Sequence, residues 1–242
     1  MVWAFVAAAV GSDETLPSPS DVWRSLTANL TGDGGLLAAA WGSVVRLALS
    51  LAFALVVGTV TGIGMTASRV VQRSLGTVMT GLQAIPPIAW LPIAILWFGF
   101  TERAVIFVVV IGAIPAIAIA TATAIRQVPL ALIRAGRTMG ADRWTLYRTV
   151  VLPASIPGYW GGLQQAWAVA WRALLAAELI RTGAAKGLGH VLDTTLEGTR
   201  VIDPALIFAT MVVIVIIGLA IDALFSVIDR RIRRRRGLLL RA

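Results

Sequence analysis

A series of uninterrupted apolar runs, each about as long as a bilayer is thick, constrains this chain more than any other feature. A helix rises 1.5 Å per residue, so about 20 apolar residues cross the roughly 30 Å hydrocarbon layer. Five runs reach that length, at residues 44–66, 75–98, 104–125, 160–180 and 205–228. A sixth, residues 1–10, is half as long and reads as the stub of a first spanning helix that begins further upstream. It has no basic segment ahead of it, so it makes a poor signal peptide despite Ala7-Ala8-Ala9. Hydrophobic residues make up 58% of the chain and charged residues 14%, against about 45–50% and about 25% in soluble domains. Disorder is excluded, and a soluble enzyme very nearly so. The expected fold is all-α, a polytopic transmembrane helix bundle of five full spans plus the short N-terminal one.

The formal net charge is +9, and its distribution argues against nucleic acid. The basic residues lie in alternate gaps and at one end, not on a soluble face. Arg69, Arg73, Arg126, Arg134, Arg137, Arg143, Arg148 and the arginines from Arg230 to Arg241 fall in one set of gaps. The other set holds only Arg24, Arg103, Arg181, Lys186 and Arg200. The positive-inside rule therefore places loop 126–159 and the C-terminus in the cytoplasm. Residues 11–43 form an extracytoplasmic loop, 44–228 the membrane core, and 229–242 a basic tail that pins the last helix against anionic lipid. Within the outer loop, Ser18 or Ser20 caps a short helix whose stripe Val22, Trp23, Leu26 and Leu30 lies along the membrane surface.

Chemistry is limited by what is missing. The chain has no cysteine and one histidine, His190, so thiol catalysis, disulfides and a multi-histidine metal site are excluded. His190 itself reads as a surface residue of an outer loop. No G-x-x-x-x-G-K-[ST] segment is present to cradle nucleotide phosphates.

The cytoplasmic loop carries the strongest local pattern. Pro129 is a permitted helix opener, and Gly140 is placed to end that helix in the left-handed conformation. Asp142 can cap a second helix, and Pro153 is expected to stop it. Two short helices meeting at a glycine corner make a rigid basic-and-apolar elbow, a shape that seats in a partner's groove. The elbow's candidate contact residues are Arg134, Ala135, Gly136, Gly140, Ala141, Asp142, Trp144, Leu146, Leu152 and Pro153.

With this loop the sequence resembles the integral membrane subunits of bacterial binding-protein-dependent ABC importers. Their EAA loop reads E-A-A, three residues, G, nine residues, I-x-L-P. Here Arg134-Ala135-Gly136 stands for E-A-A, Gly140 is the glycine, and Val150-Val151-Leu152-Pro153 matches I-x-L-P. Arginine replaces the first acid and glycine the second alanine. The likeness narrows to the branch for aliphatic sulfonates, taurine, nitrate and bicarbonate through Leu16-Pro17-Ser18-Pro19, Ala84-Ile85-Pro86-Pro87-Ile88-Ala89-Trp90-Leu91-Pro92, Ala176-Ala177-Glu178-Leu179 and Gly187-Leu188-Gly189.

The resemblance implies a type I ABC importer permease fold in the inner membrane, with residues 44–228 as the permease core. It implies two cytoplasmic ATPase subunits gripping the elbows, a second permease copy or paralogue, and an extracytoplasmic binding protein or lipoprotein. ATP and Mg would be bound by the ATPase, leaving no cofactor in this chain. ATP-driven closure would favour an outward-open state.

Several residues inside the spans are candidates for the translocation pathway. Pro86, Pro87 and Pro92 cannot sit in an unbroken helix and free carbonyls that need protein or water; a packing kink and a pathway bend beside Gln83 are both open. Gly58, Gly62 and Gly64 allow close helix approach. Trp160, Gln164, Trp167, Trp171 and Glu178 share one helical face, with Gln165 and Arg172 on a neighbouring face. Arg172, near mid-span, should point into the bundle towards an anionic substrate or a partner such as Glu178 or Asp222. Glu178 is a pathway candidate or a wetted structural acid. Asp222 reads as a packing or capping group, and Arg46 as a snorkelling residue. A solitary ion-coupled carrier would need mid-membrane acids, and only Glu178 and Asp222 come near. An intramembrane enzyme would lack a catalytic set. The solute is open: Arg172 favours an anion, with a thiamine precursor or other small organic solute as the alternative.

Overall fold

The structure, a computed structural model, describes residues 16–31, 35–179, 187–197 and 203–235. The expected stub at residues 1–10 lies outside them. Every regular element among the described residues is helical. They run α1 Pro19–Asn29, α2 Leu36–Gly64, α3 Arg69–Ala84, a 3-10 turn Pro87–Trp90, α4 Leu91–Phe98, α5 Glu102–Arg126, α6 Leu130–Thr138 and α7 Arg143–Leu146. A π-helical turn Tyr147–Val151 then leads to α8 Leu152–Glu178, α9 Leu188–Glu197 and α10 Pro204–Arg235.

Among the described residues, α2, α5 and the segment Pro204–Arg234 are long and apolar enough to cross a membrane. The run at 75–98 is not one straight span. α3 and the Pro87–Phe98 segment meet at 94°, because Pro86 and Pro87 withhold the N–H groups a continuous helix would need there. Read as one broken span, the pair makes a fourth. Residues 160–178 of the run at 160–180 lie in α8, 27 residues long, whose Gln164, Gln165 and Arg172 dilute its apolar character.

The chain divides into two units, Met1–Leu49 with Trp90–Val109 and Trp171–Ile221, and Ser50–Ala89 with Val110–Ala170 and Asp222–Ala242. In the first, Ser18 caps α1, accepting from the Asp21 N–H at 3.3 Å with Pro19 at the first helical position. Val22 and Leu26 pack with Leu36, Ala209, Leu206 and Val191. Trp23 stays 66% exposed. The stripe expected on the membrane surface is thus split, with half of it serving as protein core.

In the second unit, α5 runs between two helices that each present a glycine pair. A Cβ on Gly58 would lie 2.8 Å from Ile117 Cβ, and one on Gly62 2.5 Å from Thr121 Cβ. On the neighbouring face of α5, a Cβ on Gly162 would lie 2.2 Å from Ala120 Cβ, and one on Gly158 3.2 Å from Ala124 Cβ. Both pairs are spaced four apart, so each opens a groove on one side of its helix. Gly112 of α5 receives the ring of Pro87 in the same way, at 2.9 Å from a would-be Cβ. Arg126 donates to the Met65 carbonyl just beyond the end of α2 at 3.2 Å, satisfying an acceptor the helix leaves open. Gly64, by contrast, meets nothing within 4 Å of a would-be Cβ.

Gly162→Val must push α8 off Ala120, and overpacking of this kind costs about 1–3 kcal/mol. The expected outcome is a lowered apparent Tm and membrane yield, whereas Gly64→Ala leaves both unchanged. Thermal unfolding of the detergent-solubilised chain checks the pair.

Candidate functional site

The elbow is built by local rules. α6 starts directly after Pro129 and ends at Met139. The Gly140 N–H donates to the Arg137 carbonyl at 3.0 Å and the Ala141 N–H to the Gly136 carbonyl at 3.1 Å. This nested pair is a Schellman closure, which needs a left-handed residue at its centre. Gly140 supplies it with φ +82°. Asp142 then caps α7, accepting from the Trp144 N–H at 3.2 Å and the Thr145 N–H at 3.3 Å. Its hydrogen bond with the Thr145 side chain, with those two amides helping, holds the exposed carboxyl below its usual range.

Pro153 does not stop the second arm. α7 passes through the Tyr147–Val151 turn into α8, and the Leu152 N–H reaches back five residues to the Tyr147 carbonyl. Pro153 directly follows that wider turn, where the local break in the i to i−4 ladder accommodates a residue without an N–H. Leu152 and Pro153 are half-buried at that junction.

The elbow has a packed side and a bare side. Ile133, Tyr147, Val151 and Ala154 pack on Ile125 and Val128, beside the end of α5. Gly136 is buried, and a Cβ there would meet Leu146 Cδ1 at 2.6 Å. The departure from alanine at this position therefore lets the two arms close on each other. The bare side carries Met139 at 86% exposure and Trp144 at 68%, with Arg134, Ala135, Arg137 and Arg143 also exposed. Met139 was not among the expected contact residues. Its place before the corner glycine, the tip of the turn, is the signal that identifies it.

The pathway candidates separate. Trp167 and Trp171 are buried at 4% and 7%. Trp167 stacks on Phe225 at a centroid distance of 6.4 Å, and the Trp160 indole N–H donates to the Phe225 carbonyl at 3.1 Å. The shared face predicted for these residues exists, and both tryptophans are packed into protein on it. Gln164 is half-buried on it, while Gln165 and Arg172 on the neighbouring face are exposed, as are Gln83 and Pro86; Pro87 is half-buried. Asp222 is exposed on α10.

Glu178 is 1% exposed and takes Arg46, itself 5% exposed, as its ion-pair partner. Arg46 therefore does not snorkel, and the expected Arg172 partner is replaced. The Ser43 hydroxyl donates to Glu178 Oε2 at 2.8 Å and accepts from the Leu188 N–H at 3.0 Å. The Gly189 N–H donates to the same carboxylate at 3.1 Å. Cβ atoms on Gly187 and Gly189 would each lie 2.5 Å from Glu178 atoms, so the Gly-Leu-Gly turn is wrapped around the acid. Glu178 is a structural clamp for the start of α9, which also carries the half-buried His190. Among the described residues, no group of three His, Cys, Asp or Glu side chains converges on a metal site.

Set against known proteins, residues 54–234 match the family model described as "Binding-protein-dependent transport system inner membrane component". The taurine transport system permease protein TauC of Escherichia coli is 28% identical over 234 residues, covering 95% of this chain and 83% of that protein. The bicarbonate transport system permease protein CmpB of Synechococcus elongatus is 31% identical over 202 residues, covering 84% and 71%. The fold is similar to a chain of the inward-facing MetNI methionine ABC transporter, with TM-score 0.69 and 22% identity over 81% of this chain and 95% of that one.

Removing one member of a buried ion pair strands the other, at a cost of about 3–5 kcal/mol. Arg46→Leu and Glu178→Leu should each sharply lower the apparent Tm, and the double variant should recover much of the loss. A thermal-melt double-mutant cycle reads the coupling.

Proposed function

Because the chain belongs to the binding-protein-dependent transport system inner membrane components, we propose that it is the permease subunit of an ATP-driven importer of a small anionic solute. The observation that carries this reading is the elbow, whose left-handed corner presents Met139 and Trp144 outward amid arginines. An apolar pair this exposed on an ordered turn is suited to filling a pocket on a second polypeptide. That polypeptide is a cytoplasmic ABC ATPase, two copies of which would serve two permease copies. ATP and Mg bind there, so this chain needs no cofactor and is not itself an enzyme. An extracytoplasmic binding protein or lipoprotein delivers the solute.

In this reading loop 126–159 and the C-terminus face the cytoplasm of the inner membrane, on the asymmetry of basic residues. Arg134 stands where the family pattern has an acid, so the ATPase groove that receives it should carry a complementary acid. The pathway is assigned to the exposed polar positions Gln83, Gln165 and Arg172, with the Pro86-Pro87 break beside Gln83. The anionic class follows the names of relatives, which include transporters of taurine and bicarbonate.

At φ +82° a β-branched residue is strained by roughly 1–2 kcal/mol. Gly140→Val should therefore leave the chain in the membrane but lose the ATPase in affinity purification and lose ATP-driven uptake. Retained ATPase capture with full uptake overturns the coupling role. Arg172→Ala should lower anion uptake more than membrane yield; an equal fall in both makes Arg172 structural.

A further inference from the structure

Gln83, Gln127 and Gln165 approach one another from three separate parts of the chain, the end of α3, the loop after α5 and the middle of α8, and line one concavity of about 260 Å³ with Thr123. All four side chains are exposed. The wall beside them is made of small residues, including Gly158 and Gly162, whose missing side chains hold α8 against α5. Among the described residues, no ionised side chain lines this space. Polar side chains on membrane helices are costly against lipid, so such a cluster belongs against water or protein. Its volume equals roughly eight or nine waters at liquid density, enough for a solute of a few heavy atoms.

From this convergence we infer that the Gln83–Thr123–Gln127–Gln165 concavity is a transit site that holds a small oxyanion by amide and hydroxyl donors alone. The inference deepens the permease reading and rests on it. Each glutamine offers two N–H donors and Thr123 one O–H, enough to replace part of an oxyanion's hydration shell. The neutral lining serves release. A transit site must bind well enough to be entered and weakly enough to be left, and an arginine at this point would hold an anion too long. Selection would then rest on geometry and donor number, with no fixed charge to trap the cargo.

The chain has no cysteine, so a single introduced thiol reports on this space alone. The test uses Thr123→Cys in the detergent-solubilised full complex, with Ala67→Cys, in the exposed turn between α2 and α3, as the reference. Two thiol reagents of similar size serve as probes, an anionic sulfonatoethyl and a cationic trimethylammonioethyl methanethiosulfonate. Modification of this chain is followed by mass spectrometry. The expected result is reaction at position 123 with an anion-to-cation rate ratio about tenfold above that at position 67, the scale of one hydrogen bond to a charged group. In a Gln165→Leu background the ratio should fall towards the reference, and in Gln165→Glu it should drop below it. No reaction at position 123 with either reagent, while position 67 reacts, means the space is covered by lipid or by a second copy, and the pathway assignment falls with the site. Reaction without an anion preference, or a preference unmoved by both Gln165 variants, leaves the pathway standing and overturns the oxyanion site.

Discussion

In hydrocarbon, an apolar side chain gains little by leaving lipid for protein, so helices must be held together by contact itself. Helix α5 meets that demand by running between Gly58-x-x-x-Gly62 on one neighbour and Gly158-x-x-x-Gly162 on the other. Ile117 and Thr121 fill the first groove, and Ala120 and Ala124 the second. Dispersion falls away steeply with separation, so removing the four side chains at these crossings multiplies the number of close atom pairs. Much of what surrounds α5 follows from its fixed position. Pro87 docks on its Gly112, Arg126 at its end reaches the Met65 carbonyl, and the elbow packs on Ile125 and Val128.

Polar order is supplied elsewhere, by the buried pair of Arg46 and Glu178. Two charges removed from water are expensive unless every lone pair and proton is engaged. Here Ser43 and the Gly189 amide complete the carboxylate's shell, and Ser43 in turn holds Leu188. The cluster ties three distant stretches of sequence together at one point. It leaves the acid with a positioning duty, which is why two glycines flank Leu188.

What could be seen in the sequence was set by local physics. The left-handed corner at Gly140 and the Asp142 cap depend on residues within five positions of each other, and both are present. The apolar runs marked α2, α5 and α10, because length and composition decide a span without reference to neighbours. Long-range pairing was not visible. Nothing in the order of residues says that Glu178 would choose Arg46, 132 positions away, over Arg172 six positions away. The tryptophan face of α8 was correctly grouped by its period, yet periodicity cannot distinguish a face turned to protein from one turned to water. Gly158 and Gly162 carried the same spacing as Gly58 and Gly62, and went unread beside Pro157 and a run of aromatic residues. The extended helix through Pro153 was hidden for a similar reason, since a proline reads as a stop until the turn before it is known.

That turn has a geometric consequence. One residue more than an α-helical turn is accommodated between Tyr147 and Leu152, and each added residue advances a helix by about 100° around its axis. The direction in which α7 leaves the corner and the direction in which Gln165 looks are therefore set by separate stretches of chain, joined by a phase offset. A helix built this way can keep its grip on α5 while the arm below it is aimed independently, so the angle of the handle and the facing of the polar wall can be tuned in evolution one at a time.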